Sequence, residues 1–246
     1  IELSKLATGK PPATVGIIAD NTASPVFFAK PLREGGLAKF NLKTLFDETF
    51  TPPLTEATPL IQKVRSNRPD MLLFLTTTIS DLKLGLEKMN EFRLGKGLIP
   101  VIASGAHMGA PEVLKSVPAE LLEGLIFVVA DWNMKGLEQI NETFKQRTKE
   151  PWITQDAITA YGDMWILKEA LERAKSADKV KVAEEIRKLD LTTGKAAAAF
   201  PGRIKFDEKG RRVGAPVVMV QWQKGVPVTI FPTDRAQAAP FWPKRT

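Results

Sequence analysis

Five short segments that read as buried strands alternate with stretches of helical spacing over the first half of the chain, and this limits the fold more than any other feature. They are Thr14–Ala19, Lys43–Thr49, Met71–Thr76, Ile99–Ala103 and Leu125–Ala130. Each has the length of a strand, and several are apolar without alternation, as strands covered on both faces are. Between them, "ELSKLATG" leads in, and a helical pattern runs from Pro25 to about Gly35, ending at Gly35-Gly36. "EATPLIQKVRS" places Leu60, Ile61 and Val64 on one face. "SDLKLGLEKMNEF" starts at a capping Ser80 or Asp81 and brings Leu82, Leu86, Met89 and Phe92 to the core. Strand and helix in strict turn predict an α/β fold with a doubly wound, mainly parallel sheet.

After Ala130 helical patterns dominate: about Gly136–Thr148, then "TQDAITAYGDMWILKEALERAK", then "DKVKVAEEIRKL" with Asp178 as its cap. Strand patterns then return. "GRIKFDEKGRRVG" reads as a hairpin-like turn, and "PVVMVQWQKGVPVTIF" as two antiparallel strands about Lys224-Gly225. The tail "TDRAQAAPFWPKRT" is expected along the surface. A parallel sheet, a helical stretch and a late strand pair describe a chain that leaves one lobe and comes back to it.

Composition excludes more than it names. None of the apolar runs in the 246 residues approaches the roughly 18 needed to span a membrane. The opening "IELSKLATGK" has neither the basic start nor the apolar segment of a secretory leader, and without an initiator Met it is expected to be a trimmed end. The net charge of +7 is spread along the chain, and the densest group, "EKGRR", falls in a turn. No aromatic residues interleave with the basic ones, so a solvated surface is expected and no nucleic-acid partner. With no cysteine there is no disulfide, thiol nucleophile or cysteine metal site. The one histidine, His107 in "ASGAHMGAPE", stands without a Gly-x-Ser-x-Gly motif or a singled-out carboxylate pair. "ADNTASP" lacks the glycines of a dinucleotide turn, and "FRLGKGLIP" lacks the spacing of a phosphate loop. The reading is therefore not an enzyme, with no catalytic residue, no metal and no cofactor.

What remains is a set of polar loops after consecutive parallel strands, where open α/β sheets hold their ligands. Asn21, Thr22 and Ser24 follow the first strand, Thr76, Thr77 and Thr78 the third, and Ser104, Gly105, Ala106 and His107 the fourth. Hydroxyls and unpaired backbone N–H groups there suit a small polar solute. "TTTIS" also reads as a strand end and helix cap, and His107 as a structural residue. Trp132, after the fifth strand, has two roles open to it: stacking on a ligand or packing at a hinge.

The ordered set "VGIIADNTAS", "FTPPLTEATPLIQKVRSNRPDMLLFLTTTISDLKLGLEKMNEFRL", "IPVIASGA", "AELLEGLIFVVADWN", "QDAITAYGDMWILKEALERA", "GRIKFDEKGRR" and "VVMVQWQKG" resembles the type I periplasmic solute-binding proteins. Within them it is similar to the branched-chain amino acid and amide group, the leucine-binding-protein-like family that feeds ABC transporters. The resemblance implies two Rossmann-like lobes joined by three crossovers, with the solute clamped between them. Residues 12–128 with 215–232 would form lobe 2, residues 129–214 an incomplete, mostly helical lobe 1, 1–11 a lead-in helix and 233–246 a tail. It implies a periplasmic or otherwise extracytoplasmic monomer that delivers its solute to a membrane permease. The ligand contacts it implies in lobe 2 fall on Asn21–Ser24, Thr76–Thr78 and Ser104–His107. Two departures bear on the solute. Ser24-Pro25 stands where amino-acid binders often carry Tyr-Gly, and Ser104-Gly105-Ala106-His107 offers no acidic residue for an ammonium group. Both weaken the case for an ordinary α-amino acid, so a carboxylate without an ammonium, an amide or an aromatic acid is expected at least as much as an amino acid. The same fold also serves as the ligand-sensing domain of receptors and regulators, which is the alternative reading.

Overall fold

The computed structural model describes residues 1–200 and 202–242. These divide into two compact units, one built from residues 1–128, 219–231 and the stretch from Ala236, the other from 129–218 and 232–235.

The first unit is a seven-stranded sheet in the order β2-β1-β3-β4-β5-β8-β9. Its first half runs α1 (Glu2–Thr8), β1 (Thr14–Asp20), α2 (Ala23–Pro31), the short α3 (Leu37–Lys39), β2 (Lys43–Phe50), α4 (Thr58–Asn67), β3 (Met71–Leu75), α5 (Ile79–Glu91), β4 (Val101–Ser104), the one-turn α6 (Val113–Ser116) and α7 (Ala119–Leu122), and β5 (Ile126–Val129). The pairs β1–β2, β1–β3, β3–β4 and β4–β5 are parallel. The central strands are covered on both faces, with Ile17, Ile18, Leu72, Phe74 and Leu75 fully buried. β2, expected as a buried strand, instead has no fully buried residue and lies at the sheet edge, where its Asp47 and Glu48 pair with Arg33 and Lys63, as suits an edge strand. β8 (Val218–Gln223) and β9 (Val226–Phe231) are antiparallel about Lys224-Gly225, both with positive φ (54° and 78°), the backbone a two-residue hairpin needs.

Three local expectations are corrected. The cap of α5 is Thr78, neither Ser80 nor Asp81. Thr78 has the extended backbone of a cap (φ −120°, ψ 145°), and its Oγ1 accepts from the Asp81 N–H at 3.1 Å. Asp81 lies inside the first turn, where its Oδ1 accepts from the Leu54 N–H at 2.8 Å and anchors the loop after β2. Phe92 stops half-buried under the Arg65 guanidinium, 5.2 Å from its ring centre, while Leu82, Leu86 and Met89 are buried as their spacing predicts. The tail does not merely cover the surface. Gln221, fully buried on β8, accepts from the Phe241 N–H (2.7 Å) and donates to the Phe241 carbonyl (2.6 Å), and Trp242 enters the core that also holds Leu3. The last four residues of the expected tail lie outside the described residues.

The second unit contains α8 (Glu138–Thr148), α9 (Gln155–Ala174), α10 (Lys179–Arg187) and α11 (Gly194–Ala199), with β6 (Asp190–Leu191) antiparallel to β7 (Ile204–Lys205). Phe206 bridges Arg212 across the expected turn. α9 packs against α10 and α11, and Gly162 makes this possible: a Cβ there would lie 2.4 Å from the Phe200 ring. Asp178 caps α10, its Oδ1 accepting from the Val180 and Lys181 N–H groups at 3.1 Å. Asp178→Ala is expected to lower stability by about 1 kcal/mol, read as a shift in the urea midpoint with an unchanged slope; no shift would mean that the cap is satisfied by water. A cavity of about 590 Å³ opens between α8, α9 and α11, lined among others by Ile140, Phe144, Ile153, Ala157 and Tyr161 with Arg147 and Lys195. None of the loop residues singled out in the sequence lines it.

Candidate functional site

β1, β3 and β4 are neighbours in one parallel sheet, so the loops that leave their carboxyl ends emerge on the same edge. The structure thus sets Asn21–Ser24, Thr76–Thr78 and Ser104–His107 side by side along the sheet rim. Their polar atoms are partly spoken for. The Asn21 amide donates to Thr51 Oγ1 at 2.8 Å, Thr76 Oγ1 donates to the Thr78 carbonyl at 3.2 Å, and Thr78 Oγ1 holds the α5 cap. Ser24 is exposed in the first turn of α2.

The residue that organises this rim was not among those singled out in the sequence. Asp20, the last residue of β1, is fully buried. Its Oδ1 accepts from the N–H (2.9 Å) and hydroxyl (2.5 Å) of Thr22. Its Oδ2 accepts from the N–H (2.7 Å) and hydroxyl (2.8 Å) of Thr77. Burial by itself raises the pKa of such a carboxyl, but the four bonds from Thr22 and Thr77 outweigh it and hold Asp20 below the usual carboxylate value. One ionised group therefore ties the loop after β1 to the loop after β3. Asp70 does the same at the other end of these strands, its Oδ2 accepting from the Ala13 and Thr14 N–H groups and the Thr14 hydroxyl, each at 2.9 Å. An Asp followed two residues later by Thr is the sequence signal of such a turn.

The loop after β4 is shaped by Gly105 and Trp222. Gly105 has φ +102°, and a Cβ there would meet the His107 ring at 2.7 Å, so the imidazole lies back over the glycine. His107 is half-buried, with its Nε2 shielded from solvent. Ala106 opens the single 3-10 turn Ala106–Gly109. Trp222 Nε1 on β8 donates to the Met108 carbonyl at 2.9 Å and pins that turn from beneath.

Trp132 belongs to the second unit and is buried, which supports packing of the two roles left open to it. Beside it, Asp131 is also buried; its Oδ1 accepts from the Trp132 N–H at 2.9 Å, and its Oδ2 has no hydrogen-bond partner among the described residues. Burial pushes its pKa up to about 7, against the Trp132 N–H and the positive charge of Arg212, which both pull it down.

The profile of the family described as "Periplasmic binding protein" matches residues 4–227. The chain belongs to the periplasmic binding protein family. Among its relatives, Leu/Ile/Val-binding protein homolog 7 of Brucella suis is 23% identical over 238 residues, covering 94% of this chain. The chain spans 58% of that relative's length. The substrate-binding protein LivJ of Streptococcus pneumoniae, solved with isoleucine, superposes with a TM-score of 0.71 at 13% identity, covering 93% of this chain and 64% of its own. A solute-binding protein of R. palustris, solved with benzoate, superposes at 0.69 and 12% identity, covering 98% and 62%. These likenesses establish the type I periplasmic-binding-protein fold, and both family and fold are those of substrate-binding proteins. Among the described residues no helix is long and apolar enough to cross a membrane.

Proposed function

We propose that this chain is the larger part of an extracytoplasmic solute-binding protein that captures a small polar solute and delivers it to the permease of an ABC transporter. The observation that carries the reading is the row of loops at the carboxyl ends of β1, β3 and β4, preorganised by Asp20 and Trp222 in a chain of this family. The solute contacts are Asn21, Thr22, Ser24, Thr76–Thr78 and Ser104–His107. The solute carries a carboxylate, an amide or an aromatic acid group. Relatives solved with isoleucine and with benzoate support that range.

In this reading residues 12–128 and 215–232 form one lobe, 129–214 belong to a second, 1–11 are a lead-in helix near the first crossover, and 233–246 are a tail. The stretch of the relatives that this chain does not span completes the second lobe. It packs over the apolar cavity between α8, α9 and α11. The protein works as a monomer. A solute favours closure of two lobes only through contacts that both supply, since a ligand shifts an equilibrium only by its differential affinity.

The test is a calorimetric screen of branched-chain amino acids, their amides and aromatic acids, run on this chain and on the protein as its source makes it. The full protein is expected to bind one class with a dissociation constant of about 1 μM, a standard free energy near −8.2 kcal/mol, and this chain by itself only in the millimolar range or not at all. Micromolar binding by this chain would overturn the division of contacts between lobes. A full protein that binds none of the panel would overturn the solute-binding reading.

A further inference from the structure

β9 ends the sheet, and a strand in that place needs a guard against pairing with another chain. At the opposite edge β2 is guarded by charge, through Asp47 and Glu48 and their partners Arg33 and Lys63. β9, Val226–Phe231, carries no charged residue. Pro227 has no N–H and blunts the start of the strand. The middle is guarded by the tail. The Gln237 N–H donates to the Thr229 carbonyl at 2.8 Å, and the Thr229 N–H donates to Gln237 Oε1 at 3.2 Å. One residue thus closes both edge groups of another, and Thr229 is fully buried. The tail then runs back to β8, where the Gln223 side chain donates to the Ala239 carbonyl at 2.9 Å and Gln221 holds both backbone groups of Phe241. Trp242 follows, in one apolar cluster with Met219, Val228, Ile230 and Phe231 of the hairpin.

We infer that residues 236–242 are a clasp that keeps β9 from pairing edge to edge with a second copy of this chain. The clasp covers two things at once, the polar edge at Thr229 and the apolar side of the hairpin. A second copy offers both in return. Two β9 strands set antiparallel about a twofold axis at Thr229 exchange the bonds that Gln237 now supplies. They also continue the sheet from one copy into the next, so that the two apolar clusters adjoin. With no charge on β9, that arrangement sets no like charges against each other. The side chains that hold the clasp are Gln221, Gln223 and Gln237, none of which titrates. Its grip is therefore set by competition for Thr229 and for the apolar cluster, and protonation has no part in it. The inference is independent of what solute the protein takes.

The Thr229 amide reports the edge directly, by hydrogen exchange in the whole 246-residue chain. Gln237 is exposed, and Gln237→Pro removes its N–H and its side-chain acceptor together. In dilute variant the Thr229 amide is expected to exchange about tenfold faster than in the parent chain, the upper range for one neutral hydrogen bond. Over a roughly hundredfold rise in concentration that protection should return in the variant, with a dimer in sedimentation velocity, while the parent's Thr229 exchange stays constant. Thr229→Pro added to the variant should remove the dimer, because it takes away the edge N–H as Pro227 already does. If Gln237→Pro does not fold, Gln237→Ala, which loses only the acceptor, gives the same comparison at smaller amplitude. A Thr229 amide still protected in the dilute variant would show that the tail is not the guard. Fast exchange at every concentration would show that the edge takes no second copy. A dimer that survives Thr229→Pro would place the association elsewhere. Each of these overturns the assignment.

Discussion

Trp222→Ala is expected to lower the stability of the first unit by about 3–5 kcal/mol, the range for emptying a large buried aromatic site. The indole is fully buried, and its Nε1–H is the partner of the Met108 carbonyl at 2.9 Å. Truncation therefore opens a cavity in the core and strips a buried carbonyl of its donor at the same time. Both losses fall on the Ala106–Gly109 turn, so the loop after β4 should loosen more than the loops after β1 and β3. Trp222→Phe separates the two terms: it keeps most of the ring volume and is expected to cost about 1–3 kcal/mol, mainly for the orphaned carbonyl. Urea unfolding gives the totals, and amide exchange at Ala106–Gly109 against Thr22 and Thr77 gives the distribution. Equal midpoints for Trp222→Phe and the parent chain would show that the indole bond to Met108 contributes nothing net.

The second large effect depends on pH. Asp131 has a pKa of about 7 in the folded chain against an ordinary 3.8. A carboxyl whose folded pKa is raised binds protons more tightly in the folded state, so stability is highest below the unfolded value. It falls as pH rises through the window from about 4 to 7, and the fall is complete above the folded value. A shift of this size corresponds to roughly 4 kcal/mol in order of magnitude. Asp131→Asn removes the titration. The variant is expected to lose the downward slope between pH 4 and 7 and to overtake the parent chain above pH 7, where the parent holds a buried charge. Near pH 4.5 the two should lie close together, because protonated Asp and Asn place similar polar groups in the same space. Thermal or urea unfolding across this window checks it. A variant less stable than the parent by the same amount at pH 5 and pH 8 would mean instead that Asp131 is ionised throughout and paired with Arg212.

The parallel sheet was legible because Ile17, Ile18 and Leu72–Leu75 form apolar runs too short for helices and too unbroken for a half-exposed sheet. The Lys224-Gly225 turn was legible because its residues tolerate positive φ. The α5 cap was placed two or three residues late because Thr78, Ser80 and Asp81 are all good caps, and only the backbone angles choose among them. The tail was misplaced because Gln221 is polar and looks solvent-bound in sequence. Its two hydrogen bonds to Phe241 span 20 residues and are invisible to any local pattern. At the site, the loops could be read from their place after strands, but Asp20 could not be weighed. Its importance comes from Thr77, 57 residues away, and burial can be inferred from a strand end only for the strand itself. Trp132 shows the same limit from the other side: an aromatic after a strand reads equally as a ligand platform or as packing until its exposure is known.

The sheet is not completed in the order in which it is made. Residues 219–231 supply the strand that lies beside β5 and the one beyond it, and Trp242 arrives later still to share a core with Leu3. A chain made only as far as residue 200 of this sequence holds five parallel strands with β5 as a bare edge, and that edge keeps its unpaired N–H and C=O groups until residues 219–231 follow. An open apolar edge held for that long is the place where a growing chain pairs with the wrong partner. Premature termination anywhere before residue 219 therefore leaves a sticky fragment, and a translational pause in the stretch coding for the second unit lengthens the hazard without changing a single residue.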